Sequence, residues 1–147
     1  MTASGLEIFD TTLQRTNHWL KLMMVELETD SRRVAFGALR GALHAVRDRI
    51  GPENAVHLGA QMPMLLRGAY YEGWRPAETP TSERRLTDFI NHVGSELPRG
   101  CEATPGEAAR ACFAVLGLCL DRDEMMKLKH ALPREAVVNL WPEELLH

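Results

Sequence analysis

The stretch "RRVAFGALRGALHAVRDRIGP", residues 32–52, decides the fold class because it carries the clearest helical pattern in the chain. Its apolar residues recur every three or four positions, a spacing that places them on one face of an α-helix. The Gly51-Pro52 pair ends this helix, since proline lacks an amide hydrogen and suits the first turn of the next helix. The predicted core face consists of Ala35, Ala38, Leu39, Ala42, Leu43, Val46 and Ile50.

The same period extends toward the N-terminus. A first helix is predicted there, and its apolar residues keep an alternating three-and-four spacing that only Thr16 interrupts. Such a seam is typical of an amphipathic helix. The seam consists of Leu6, Phe9, Leu13, Leu20, Met23 and Leu27.

Toward the C-terminus, a short third helix starts at Pro52, and a fourth follows Pro63 and reaches Tyr71. Residues 75–80 contain two prolines and no periodicity, so they are predicted to be a linker. The helical period returns from about residues 82–97 and continues in three further segments. No stretch alternates apolar and polar residues as a strand would, so we predict an all-α fold with about eight helices.

A shift of 70 positions, without gaps, aligns the two parts of the chain. It pairs Pro63 with Pro133, and apolar positions of four consecutive helices fall on apolar positions. A gapless register of this length indicates an internal duplication. We therefore predict one domain, residues 1–147, made of two pseudo-repeated four-helix halves, 6–74 and 81–147, packed into one compact bundle.

The predicted duplication separates packing residues from candidate functional residues. A residue type kept in both halves serves the scaffold, so Arg40, matched by Arg110, is interpreted as structural and bound to a carbonyl or carboxylate. Tyr71, matched by Trp141, is interpreted as a core anchor. Polar or aromatic residues without a counterpart are the candidates. They are His44, Arg47 and Asp48 on the second helix, and Arg67, Tyr70, Glu72 and Trp74 on or just after the fourth.

The second helix also carries two glycines, Gly37 and Gly41, on the side away from its apolar face. Glycine within a helix costs about 1 kcal/mol relative to alanine, and the close approach of another helix is a common reason for it. We therefore expect the second helix to be contacted on two sides. Its polar stripe of Arg40, His44 and Arg47 would then be partly buried and would need partners.

Three interpretations of the candidate residues remain open. Arginine and aromatic side chains suit a pocket for a small anionic or planar ligand. The same residues suit a buried polar network that joins the fourth helix to the second, which is the commoner arrangement in cores. Exposed Tyr70 and Trp74 would instead suit a protein interface. None of these interpretations assigns a catalytic residue.

Composition excludes several classes of protein. The net charge is −3 and basic residues alternate with acidic ones, so no nucleic-acid surface is expected. No apolar run approaches the ~20 residues of a membrane span, and the N-terminus shows no signal peptide, so a cytoplasmic location is expected. Three cysteines without C-x-x-C spacing argue against a disulfide framework.

No metal or cofactor is expected, because the six histidines are scattered and form no H-x-x-x-H pair. Glu53 and His57 are four residues apart and are interpreted as an exposed pair.

Two stretches, "ALRGALHAVRDRIGPENAVHLGAQMPMLLRGAYYEGW" (38–74) and "HALPREAVVNLWP" (130–142), resemble a bacterial family of domains of unknown function, numbered 2267. The resemblance covers nearly the whole chain and implies a small helical bacterial protein without an established activity. The expected function is a non-enzymatic cytoplasmic interaction or regulatory module that forms a homo-oligomer or binds another protein. The alternative is a ligand-binding protein or enzyme that uses a pocket between the second and fourth helices.

Overall fold

The computed structural model describes residues 3–146, and over this range it is entirely helical, with no strand. The prediction of an all-α fold with eight helices is confirmed. Two single-turn 3₁₀ segments follow α4 and α8, at Pro76–Glu78 and Glu143–Leu145. The helices are α1 (Glu7–Leu27), α2 (Arg32–Arg49), α3 (Pro52–Ala60), α4 (Met64–Tyr71), α5 (Leu86–Glu96), α6 (Pro105–Cys119), α7 (Arg122–Ala131) and α8 (Arg134–Leu140).

Helix α2 is the central element, and it packs against α1, α5 and α6. The Ser31 hydroxyl caps its first turn by accepting a hydrogen bond from the Val34 amide at 3.1 Å. Its last turn is followed by Gly51 at a φ of +88°, a conformation that glycine adopts without steric cost. All seven predicted core residues of α2 and its C-terminal cap are buried.

The end of α5 and the two residues after it lie close to α2 at the two glycines. A Cβ atom on Gly37 would lie 2.8 Å from Pro98 Cγ. On Gly41 it would lie 2.7 Å from Leu97 Cδ2 and 3.0 Å from the carbonyl oxygen of Glu96. The expectation that these glycines admit a neighbouring element is therefore confirmed, and α2 is contacted on two sides.

Helix α5 begins later than the sequence pattern predicts, at Leu86 and not near residue 82. Contacts to other elements hold the preceding residues in a non-helical conformation. The Thr81 amide donates to the Asp48 carbonyl oxygen at 2.9 Å, and Arg49 Nε donates to the Glu83 carbonyl oxygen at 2.9 Å. These hydrogen bonds fasten the segment to the end of α2 and replace those of a helical turn.

The apolar seam of α1 is only partly buried. Leu20 and Met23 lie in the core, whereas Leu6, Phe9 and Leu13 are 52%, 48% and 44% exposed. The seam is therefore buried in the second half of α1 and largely exposed over its first two turns. Thr16, which interrupts the seam in the sequence, is buried.

The ends of corresponding helices agree with the 70-residue shift. Helix α2 ends at 49 and α6 at 119, α3 starts at 52 and α7 at 122, and α4 starts at 64 and α8 at 134. Shared helix ends do not measure superposition, so the duplication and the halves 6–74 and 81–147 remain a prediction. Residues 1, 2 and 147 of the predicted domain lie outside the described part.

Candidate functional site

Arg47 fastens the end of α4 to α2. Its side chain is 3% exposed, and Nη1 donates to the carbonyl oxygens of Tyr70 at 2.7 Å and Glu72 at 2.9 Å. Its Nε donates to Asp48 Oδ1 at 2.9 Å. The last carbonyls of a helix have no partner within the helix, so the guanidinium satisfies groups that would otherwise be orphaned.

His44 makes a similar contact one turn earlier on α2. Its Nε2 lies 2.8 Å from the carbonyl oxygen of Ala69, and since a carbonyl only accepts, Nε2 carries the hydrogen. Burial is the main cause that holds the pKa of His44 below its usual value, and the charges of Arg47 and Arg40 act in the same direction. The ring is therefore neutral near pH 7, and its Nδ1 lies 3.5 Å from Glu96 Oε2.

Two further candidates point away from α2. Arg67 donates from Nε to the Gly59 carbonyl oxygen and from Nη2 to that of Met62, both at 2.9 Å, and so caps the end of α3. The buried Tyr70 hydroxyl donates to the carbonyl oxygen of Ala55 at 2.7 Å, and burial raises the pKa of Tyr70 well above its usual range. The Tyr70 side chain is buried, whereas that of Arg67 is half-buried.

Trp74 packs on Tyr71, with ring centroids 5.3 Å apart, and is half-buried. The pocket predicted from arginine and aromatic side chains together stays a prediction. The contacts of Arg47 and His44 form a buried polar network that joins α4 to α2.

A polar cleft of about 370 Å³ does lie beside this network, between α2, the end of α4, residues 75–81 and α5. The structure brings together four of the seven candidates there, whereas Arg67, Tyr70 and Trp74 are not among its lining residues. Since no aromatic ring faces it, the cleft offers no stacking surface to a planar ligand. Its lining residues are Arg40, His44, Arg47, Asp48, Glu72, Gly73, Arg75, Glu78, Thr79, Thr81 and Glu96.

Arg40 and Arg110, the matched pair, both contact the region where the last helix of their half ends. Arg40 forms an ion pair with the Glu72 carboxylate. Arg110 Nη2 donates to the carbonyl oxygen of Asn139 at 3.2 Å. The predicted structural partners, a carboxylate or a carbonyl, are the ones observed.

A cluster of ionisable groups, two of which line the cleft, was missed by the sequence reasoning. His92 Nδ1 is hydrogen-bonded to Glu83 Oε1, and Nε2 lies 3.5 Å from Asp48 Oδ2 and 3.9 Å from Glu96 Oε1. The only sequence signal was the i, i+4 spacing of His92 and Glu96. Asp48 belongs to α2, and Glu83 belongs to the segment before α5.

The groups of this cluster shift one another's pKa. The contact with Asp48, and then that with Glu83, raises the pKa of His92 above its usual value despite burial. Burial opposes ionisation of Asp48, but hydrogen bonds with His92 and Arg47 outweigh it and lower the pKa of Asp48. Ligand atoms of Asp48, His92 and Glu96 all lie within 4.8 Å of one another.

The protein is compact and all-helical, and the candidate arginine, histidine and tyrosine side chains mainly donate hydrogen bonds to backbone carbonyl oxygens of neighbouring helices. No helix in residues 3–146 is long and apolar enough to cross a membrane. The chain belongs to the family described as "Uncharacterized conserved protein (DUF2267)", whose model matches residues 16–138, as the resemblance implied. No curated protein sequence matches the chain. The family description names no activity, so function has to be inferred from the geometry.

Proposed function

We propose that this DUF2267 protein is a non-enzymatic interaction module that self-associates through the first two turns of α1. The observation that carries the proposal is the apolar stripe of Leu6, Phe9 and Leu13. It continues the buried seam of Leu20 and Met23 but is about half exposed. Exposed apolar side chains that cluster on a surface are typical of interaction sites.

The start of α4 widens this stripe into a surface formed by two helices. The Leu65 amide donates to the Thr12 hydroxyl oxygen at 2.9 Å, which fixes α4 beside α1. Met64 and Leu65 are themselves about half exposed. We call these five residues, Leu6, Phe9, Leu13, Met64 and Leu65, the α1 patch.

A second copy of the chain is the partner that the α1 patch fits. None of its five side chains is charged, so the patch offers nothing to select a charged partner. A two-fold axis lets one patch cover an identical one, and both are then buried in a closed dimer. The net charge of −3 is small, so repulsion between copies is slight.

The non-enzymatic character is supported by the hydrogen bonds that the candidate polar side chains already make within the protein. Arg47, Arg67 and the Tyr70 hydroxyl all donate to backbone carbonyl oxygens. Three free cysteines in the described chain support a reducing compartment, and we place the protein in the cytoplasm on that basis.

The test is sedimentation equilibrium of the wild type and of Phe9→Asp and Leu13→Asp. We expect a dimer for the wild type and monomers for both variants, because an unpaired carboxylate in an apolar interface is strongly unfavourable. Val138→Asp, an exposed apolar position on α8, is the matched control and should stay dimeric. A monomeric wild type, or equal dissociation of the Val138 variant, would rule the proposal out.

A second candidate function is binding of a small anionic ligand in the polar cleft. It is favoured by Arg75, whose side chain is 77% exposed at the rim and lies 3.6 Å from its nearest carboxylate partner, Glu78. Small dicarboxylates and inorganic phosphate should then raise Tm in the wild type but not in Arg75→Ala. No rise in the wild type would remove this candidate.

A further inference from the structure

We propose that Asp48, His92 and Glu96 bind a divalent transition-metal ion such as Zn²⁺. Asp48 lies in the last turn of α2, and His92 and Glu96 lie one turn apart on one face of α5. The two helices bring these side chains together because Gly41 allows the backbone of Glu96 to approach α2. The site shares no residue with the α1 patch, so the two proposals stand or fall separately.

The distances between ligand atoms are close to those of a tetrahedral site. Zn²⁺ binds nitrogen and oxygen at ~2.0–2.2 Å, so two ligand atoms of a tetrahedron are about 3.3–3.5 Å apart. His92 Nε2 lies 3.5 Å from Asp48 Oδ2 and 3.9 Å from Glu96 Oε1. The ligand oxygens of Asp48 and Glu96 lie within 4.8 Å of each other, so rotation of the carboxylate side chains would bring the three ligand atoms to tetrahedral spacing.

Neighbouring groups already orient two of the three ligands. Glu83 accepts the hydrogen of His92 Nδ1, which directs Nε2 toward Asp48 and Glu96. Arg47 Nε holds Asp48 Oδ1 at 2.9 Å and leaves Oδ2 for the ion. A carboxylate behind a metal-binding histidine is the usual outer-sphere arrangement at zinc sites, where it fixes the ring and its tautomer. On binding, the ion takes the place of the Nε2 proton, which leaves to solvent.

The charges of the cluster match a divalent ion. Asp48, Glu83 and Glu96 carry three negative charges and Arg47 one positive charge, which leaves two negative charges around a neutral His92. The mixture of imidazole nitrogen and carboxylate oxygen favours Zn²⁺ and similar first-row ions over Mg²⁺ and Ca²⁺, which prefer oxygen alone.

The experiment is isothermal titration of EDTA-treated, dialysed protein with Zn²⁺, and with Mg²⁺ for comparison. We expect one Zn²⁺ per chain in the wild type and no measurable Mg²⁺ binding. The near-isosteric variants Glu96→Gln and Asp48→Asn should bind Zn²⁺ at least ~10-fold more weakly, and Glu83→Gln, a positioning residue, should weaken binding by ~10-fold or more.

The matched control is Glu53→Gln, from the exposed Glu53–His57 pair, which has the same four-residue spacing on α3. It should bind Zn²⁺ like the wild type. Thermal unfolding in EDTA checks that each variant folds, and Zn²⁺ should then raise Tm in the wild type and Glu53→Gln but not in Glu96→Gln. The proposal is overturned if the wild type binds no Zn²⁺, or if Glu53→Gln weakens binding as much as Glu96→Gln does.

Discussion

The guanidinium of Arg47 caps the end of α4 through the carbonyl oxygen of Tyr70, with Nη1 and the oxygen 2.7 Å apart. A second hydrogen bond from the same nitrogen reaches the Glu72 carbonyl oxygen. Two helices that are separated in sequence are thereby joined by one buried side chain. Arg67 and Tyr70 also donate hydrogen bonds to backbone carbonyl oxygens. The polar and aromatic residues within 61–74 therefore serve mainly to hold α4 against its neighbouring helices.

Replacing Arg47 by methionine should therefore destabilise the fold. The apolar stem is kept, but the carbonyl oxygens of Tyr70 and Glu72 lose their donor, and Asp48 loses its ion-pair partner. We expect a loss of about 3 kcal/mol in the free energy of unfolding, measured by urea denaturation. Arg33→Met, at an exposed position of the same helix, should change it by less than about 0.5 kcal/mol. Equal stability of the two variants would show that Arg47 has no anchoring role.

Alanine at Gly41 should disturb the contact between α2 and α5. Its Cβ would lie 3.0 Å from a backbone atom, the Glu96 carbonyl oxygen, which cannot move without shifting α5. Overpacking of this kind costs about 1–3 kcal/mol, which exceeds the gain of about 1 kcal/mol in helix propensity.

Gly68→Ala is the opposite case, because nothing lies within 4 Å of its Cβ position in the middle of α4. It should raise the free energy of unfolding by up to about 1 kcal/mol. Urea denaturation of both variants measures the difference, and a stabilised Gly41→Ala protein would contradict the close approach of the two helices.

Cysteine alkylation should report burial near the end of α6. Burial raises the pKa of Cys119 to about 11, so its reactive thiolate is scarce at pH 8. With iodoacetamide at pH 8, Cys119 should react at least ~10-fold more slowly in the native protein than in urea. Its native rate should keep rising with pH, whereas the unfolded rate levels off above about pH 8.5. Peptide mass spectrometry measures both rates, and native labelling as fast as in urea would contradict the burial.

Helix α2 was predictable almost to the residue because its signals are local. Apolar spacing, the Ser31 cap and the Gly51-Pro52 pair act within a few residues of chain. The burial of α1 could not be predicted in the same way, since periodicity identifies an apolar face but not whether a neighbour covers it. The exposure of Leu6, Phe9 and Leu13 depends on where the other helices end.

The candidate site was only partly predictable for a related reason. The burial of His44 and Arg47 followed from the glycines on the same helix, which imply neighbours on both sides. The contact of Arg67 with the end of α3 could not be predicted from the sequence, because a long side chain can reach any nearby helix end that has unpaired carbonyls. Glu83 could not be placed beside His92, since the residues before α5 are held by Asp48 and Arg49 of another helix.

Hydroxyl-radical footprinting of side chains at protein concentrations above and below the dimer dissociation constant tests the proposed interface most directly. Labelling of Phe9 and Leu13 should fall in the dimer, while that of Val138 and Val25, which are exposed elsewhere, should not change. If Phe9 and Leu13 are labelled equally in dimer and monomer, self-association through the α1 patch is contradicted.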